Sequence, residues 1–200
     1  LLPMIQERMA DVRVGNGMDD VDMGPLVTRA HHDRVRAYVD KGVAEGAELV
    51  VDGRPLVVPG HEGGYFLGPC LFDKVTPEMT IYREEIFGPV LSTVRVETYE
   101  QGLALLDNNP WANGVALFTN DGGAARKFQS EVEVGMVGIN VPIPVPMAYH
   151  SFGGWKDSLF GDYHVHGIEG IRFFTRTKAV TVRWPEPSLR GKNLGFPTQK

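Results

Sequence analysis

Leu2, Ile5 and Met9 recur at the spacing of one helix face, so the pattern opens on a short amphipathic helix. Pro3 is tolerated there only because it falls in the first turn. Asp11 to Val14 reads as a brief β-like run closed by Gly15-Asn16-Gly17. After an acidic loop, Thr28 offers an N-cap to a helix that places Val35, Tyr38, Val39 and Val43 on one face. Gly46 ends it, and Glu48 to Val51 is a strand before Asp52-Gly53. From Val57 the chain is Pro- and Gly-rich loop, and Tyr65 to Val75 is extended. A β-rich stretch runs from Val90 to Val96. Thr98 with Gln101 makes a capping box for a helix with a buried stripe of Leu103, Ala104 and Leu106. Asn113-Gly114 turns into a strand over Val115 to Thr119. Asp121 caps a helix to about Ser130, and Val134 to Asn140 is strand again. Strand and helix alternate, which predicts an α/β fold with a mostly parallel sheet and crossover helices. Gly170 to Trp184 alternates like a further strand, and Pro185 to Lys200 reads as an irregular tail.

Composition narrows the function classes. Two hundred residues, 42% hydrophobic and 22% charged, suit an ordinary globular protein able to bury one sizeable core. The net charge of −5, with scattered Lys and Arg, argues against nucleic acid or an anionic membrane as the main partner. No apolar span is long enough for a bilayer. A single cysteine makes no internal disulfide, which fits a reducing, cytoplasmic location.

The stretch richest in chemistry is Arg83-Glu84-Glu85-Ile86-Phe87-Gly88-Pro89-Val90. A carboxylate on a loop before a strand is an acceptor only, suited to the vicinal hydroxyls of a ribose. Phe87 shares a side with Glu85 if the segment is extended, and would offer a flat apolar face. Gly88 allows close approach to a ligand, and Pro89 fixes the exit into the strand. Read plainly, the same residues are an acidic loop. Asn140 to Met147 has prolines at alternate positions, so it is stiff, polyproline-like and apolar. Placed beyond a strand end, it either walls a pocket or serves as a rigid connector.

Other candidates are weaker. Asp19, Asp20 and Asp22 lack calcium-loop spacing and read as solvated. His31-His32 cannot chelate as neighbours on a helix and reads as surface polar. His150, His164 and His166 lack a Cys or carboxylate to complete a zinc set, so no metal is expected. Cys70 lies in an apolar extended run with nothing adjacent to lower its pKa, and reads as a structural thiol.

Glu84 to Val90 resembles the cofactor-ribose motif of the aldehyde dehydrogenase superfamily. Gly24-Pro25-Leu26-Val27, Gly68-Pro69, Asn109-Pro110, Asn113-Gly114, Phe152-Gly153-Gly154 and Phe174-Thr175-Arg176-Thr177-Lys178 follow in that family's order. The Pro-rich run and Ser151 to Ser158 most resemble its acylating methylmalonate-semialdehyde branch. The resemblance runs from about Asp11 to Trp184 and implies the C-terminal portion of a longer chain. It implies NAD as cofactor, with Glu85 on the nicotinamide ribose and Phe87 packed beside it. Val141, Pro142 and Ile143 would shape the substrate funnel, with Phe152 near the reacting carbon. Residues 1–170 would belong to the catalytic domain, 171–184 to a strand that joins a neighbouring subunit, and 185–200 to a tail. A thiolate attacks the aldehyde in that family, and hydride loss leaves an acyl-enzyme. The matching nucleophile is upstream of these residues, so no catalytic residue is expected in this chain. The implied partners are a small aldehyde, coenzyme A and further copies of the chain in a dimer or tetramer. Hydrolytic release of the acyl group, and a non-catalytic assembly module, stand as alternatives.

Overall fold

Cys70-Leu71-Phe72-Asp73 is buried at all four positions, and the N-terminal half of the chain packs around it. The computed structural model describes residues 1–182 and Trp184, in two compact units that meet at Asn108–Asn109 in the sequence.

The first unit begins with α1 (Leu2–Ala10), where Leu2, Ile5 and Met9 are half-buried, and continues to α2 (Arg29–Ala44). Thr28 caps α2 by accepting from the His31 N–H. Strands β1 (Glu48–Val51), β2 (Cys70–Asp73) and β3 (Val90–Ser92) form one sheet with β2 central. β1 runs antiparallel to β2 with a register shift between Leu49 and Val51, and β3 runs parallel to β2. The core joins Val35 and Val39 of α2 to Leu67, Cys70, Phe72, Ile81 and Ile86. Burying each large apolar side chain is worth about 1.5–3 kcal/mol, so this cluster sets the position of everything attached to it. Gly42 brings α2 close: a Cβ there would lie 2.9 Å from both the Phe72 ring and Ile81.

A second close approach ties the ends of the long loop between β1 and β2. The Gly68 N–H donates to the Gly53 carbonyl at 3.0 Å, and a Cβ on Gly53 would sit 2.1 Å from the Gly68 oxygen. One turn of helix, α3 (Thr80–Arg83), precedes β3 where the sequence pattern gave none. Glu45 at the end of α2 accepts from both the amide and the hydroxyl of Thr80, which fixes the start of that turn. The unit closes with α4 (Tyr99–Asp107), capped by Thr98.

In the second unit β4 (Trp111–Ala112) pairs antiparallel with β7 (Trp155–Lys156). β5 (Gly114–Leu117) pairs parallel with β6 (Met136–Ile139), joined through α5 (Gly122–Glu131). This is the expected strand–helix–strand crossover, with Phe128 as the buried face of its helix. α6 (Gly167–Phe174) follows.

Several expectations need correcting. Rather than one mostly parallel sheet, the described strands form three small ones: β1-β2-β3 is mixed, β4-β7 antiparallel and β5-β6 parallel. Asp11 to Val14 contributes only an isolated bridge, Val14 to Met23. Val43 is exposed, and the buried face of α2 is instead His32, Val35, Val39 and Gly42. No residue of α4 is buried, and Ala104 is exposed. Gly170 to Phe174 is helical rather than strand, and 175–182 has no ladder partner among the described residues. The tail over 185–200 lies outside the described residues. No helix among the described residues is long and apolar enough to cross a membrane.

Candidate functional site

The octet around Glu85 is held by one face of α2. After α3, Glu84 is extended, Ile86 drops into the core and Phe87 adopts a positive φ of 57°. Positions 31, 34, 35 and 38 of α2 share a helix face, and each meets the motif. His31 Nε2 lies 2.8 Å from the Phe87 carbonyl oxygen. Arg34 donates to the Glu85 carbonyl at 2.9 Å. Tyr38 donates its hydroxyl to Glu84 Oε2 at 2.5 Å, and that carboxylate raises the phenol's pKa. Val35 fills the space a Gly88 side chain would need, with both its Cγ atoms 2.8 Å from the Cβ position.

The two adjacent carboxylates are thereby separated in role. Glu84 is occupied by Tyr38, whereas no donor among the described residues reaches the carboxylate of Glu85, which is exposed. Phe87 is 75% exposed, with His31 the ring nearest it at 6.5 Å. Phe87 leaves the extended region, so the condition under which Glu85 and Phe87 would share a side is not met. The bareness of Gly88 also serves packing on Val35.

The other candidate residues lie in the second unit. Asn140 follows β6 at φ 57°, and its side chain exchanges hydrogen bonds with the backbone of Thr119 at 2.9 and 3.0 Å. The chain turns there into the Pro-rich run, which is neither helix nor strand. Pro144 packs back over the end of this pair of strands, within 3.2–3.3 Å of where Gly138 and Gly114 would carry a Cβ. Val141, Pro142 and Ile143 are left exposed. Phe152 is half-buried and stacked on His166, with ring centroids 4.2 Å apart and planes 5° from parallel. A Cβ on Gly135 would lie 2.0 Å from the Gly153 oxygen, so the backbone beside Phe152 is seated against the start of β6. Glu85 and Phe87 thus belong to one unit and Val141, Pro142, Ile143 and Phe152 to the other.

A model of the aldehyde dehydrogenase family matches residues 1–180. The chain belongs to the aldehyde dehydrogenase family. Among its curated relatives, the malonate-semialdehyde dehydrogenase of Pseudomonas aeruginosa is 56% identical over 99% of this chain. A Sinorhizobium meliloti protein assigned as a methylmalonate-semialdehyde dehydrogenase, solved with NAD, superposes with a TM-score of 0.90 at 53% identity, covering 92% of this chain. The methylmalonate-semialdehyde dehydrogenase of Oceanimonas doudoroffii gives 0.91 at 50% identity over 96%. This chain spans 40% of the Pseudomonas relative and 38% and 39% of the two solved chains.

Within this aldehyde dehydrogenase chain, Cys70 is fully buried, accepts the Gly53 N–H at 3.3 Å, and its thiol pKa is pushed up by burial. A thiol held protonated and out of solvent is a poor nucleophile. No group of His, Cys, Asp and Glu suited to a metal is found among the described residues. His166 immediately precedes α6, and His164 Nδ1 lies 3.4 Å from Ser151 Oγ. The residues missed by sequence reasoning are His31, Arg34 and Tyr38. Their i, i+3, i+7 spacing was the available signal, and it was obscured by reading His31-His32 as an adjacent pair.

Proposed function

We propose that this chain is the C-terminal portion of an NAD-dependent, coenzyme A-acylating dehydrogenase of methylmalonate or malonate semialdehyde. The observation that carries the reading is the exposed Glu85 carboxylate, which no donor among the described residues reaches, beside an exposed Phe87, on a loop clamped by α2. It is supported by the malonate- and methylmalonate-semialdehyde dehydrogenases among its relatives, one of them solved with NAD.

Glu85 accepts from the nicotinamide-ribose hydroxyls, and Phe87 packs against the same half of the cofactor. When bound, NAD serves as hydride acceptor. An aldehyde loses two electrons as hydride on becoming an acyl thioester, and coenzyme A thiol then takes the acyl group. We place the attacking thiol outside this chain, because Cys70 is buried. The apolar Val141-Pro142-Ile143 segment and Phe152 form part of the substrate's approach. A cytoplasmic location belongs to the same reading, as does assembly through residues 175–182.

Glu85→Gln in the full-length protein removes a charge-assisted acceptor worth about 1.5–3 kcal/mol. Hydride transfer is expected to slow by roughly ten- to a hundredfold. Single-turnover NADH formation at the parent's rate would remove Glu85 from the site. Thioester formation with coenzyme A present, against free acid alone, separates acylating from hydrolytic release.

A further inference from the structure

Phe87 is held where an aromatic residue seldom rests, at positive φ, and such a conformation persists only when its surroundings impose it. Its neighbours are fixed independently. Ile86 is anchored in the core, and Gly88 is pressed against Val35. Between those anchors, the carbonyl of Phe87 is engaged among the described residues by one group, the His31 ring, at 2.8 Å. A carbonyl oxygen only accepts, so Nε2 of His31 carries the proton in this contact.

We propose that His31 is a positioning residue for the cofactor: its Nε2–H fixes the Phe87 peptide and thereby the aim of the Phe87 ring beside the Glu85 carboxylate. The inference rests on the assignment of Glu85 and Phe87 to the nicotinamide ribose. Because Ile86 and Gly88 keep the loop attached, losing the His31 contact releases the residue between them without unfolding the unit. The expected signature is therefore a loss in nicotinamide alignment at nearly unchanged melting temperature.

The test compares His31→Leu, His31→Gln and Glu85→Gln in the full-length protein, by NAD affinity, single-turnover hydride transfer and thermal melting. His31→Leu should slow transfer by about tenfold, the effect of one lost hydrogen bond of about 1.4 kcal/mol. His31→Gln, whose amide N–H reaches toward the same carbonyl, should return to within about threefold of the parent. If Glu85→Gln slows transfer while His31→Leu matches the parent, the positioning role fails and the cofactor assignment stands. If Glu85→Gln is itself without effect, the assignment fails and takes this inference with it. Equal losses in His31→Leu and His31→Gln would overturn donation to Phe87 as the cause. Should His31→Leu fail to fold, His31→Asn, whose amide is too short to span the gap, replaces it, and transfer at the parent's rate would again overturn the role.

Discussion

Asp73 is a charged side chain in the most buried strand of the chain, and its partners explain how it stays there. It is 2% exposed, yet Arg95 approaches both its oxygens at 2.5 and 3.0 Å and the Thr93 hydroxyl donates at 3.0 Å. The Arg95 guanidinium holds the carboxyl well below the usual carboxylate range. In the unfolded chain the same group takes up its proton near pH ~3.9. Between the two values the unfolded state binds more protons, so stability rises with pH. The contribution is complete above the unfolded value and drains away as pH falls through the folded one. Asp73→Asn should lower the melting temperature at neutral pH and flatten its decline on acidification. Melting curves of the full-length protein at about pH 7 and about pH 3.5 check both; an unaltered acid limb would assign that limb to other carboxylates.

Among the elements, caps matter most where burial is thin. α5 has one buried residue, Phe128, and the Asp121 carboxylate accepts from the amides of Gly123 and Ala124 at 2.7 and 3.1 Å. Asp121→Ala should cost about 1 kcal/mol, with the loss seen first as faster amide exchange in the first turn of α5. Exchange unchanged there would mean that packing on Phe128 alone sets the helix. Caps were also the part of the architecture most legible in the sequence. Thr28, Thr98 and Asp121 all cap as read, because capping is local chemistry between residues two or three apart. The strand over Glu48 to Val51 was equally clear. What failed depended on distant partners. The helical turn before Glu84 is fixed by Glu45, far away in sequence. Gly170 to Phe174 alternates like a strand, yet it continues a helix begun at Gly167, and the same side chains satisfy either period over so short a run. For the site, Glu85 was legible as an acceptor-only carboxylate on a loop, but the clamp on that loop was not, since it comes from a helix about fifty residues upstream.

At the scale of the whole molecule, the chain covers about two-fifths of its relatives, and much apolar surface stands open. Phe173, Phe174, Val180 and Val182 are all more than half exposed. Phe173 and Phe174 end α6, whereas Val180 and Val182 lie in 175–182, which has no ladder partner among the described residues; an unpaired apolar run of that kind invites pairing with another chain. The assembly proposed above places residues 175–182 against a neighbouring subunit. Deleting Thr175 to Lys200 from the full-length protein should reduce its mass in light scattering, and retention of the parent's oligomeric state would discard that role. A different property follows from the two glycines whose backbones touch at Gly53 and Gly68. They close the intervening segment at its neck, so its two ends are pinned together whatever its length. Loop-closure entropy grows only as the logarithm of length. The exposed tip near Pro59 and Gly60 is thus thermodynamically insulated from the sheet, and extra residues there would be carried as a side excursion rather than felt as strain.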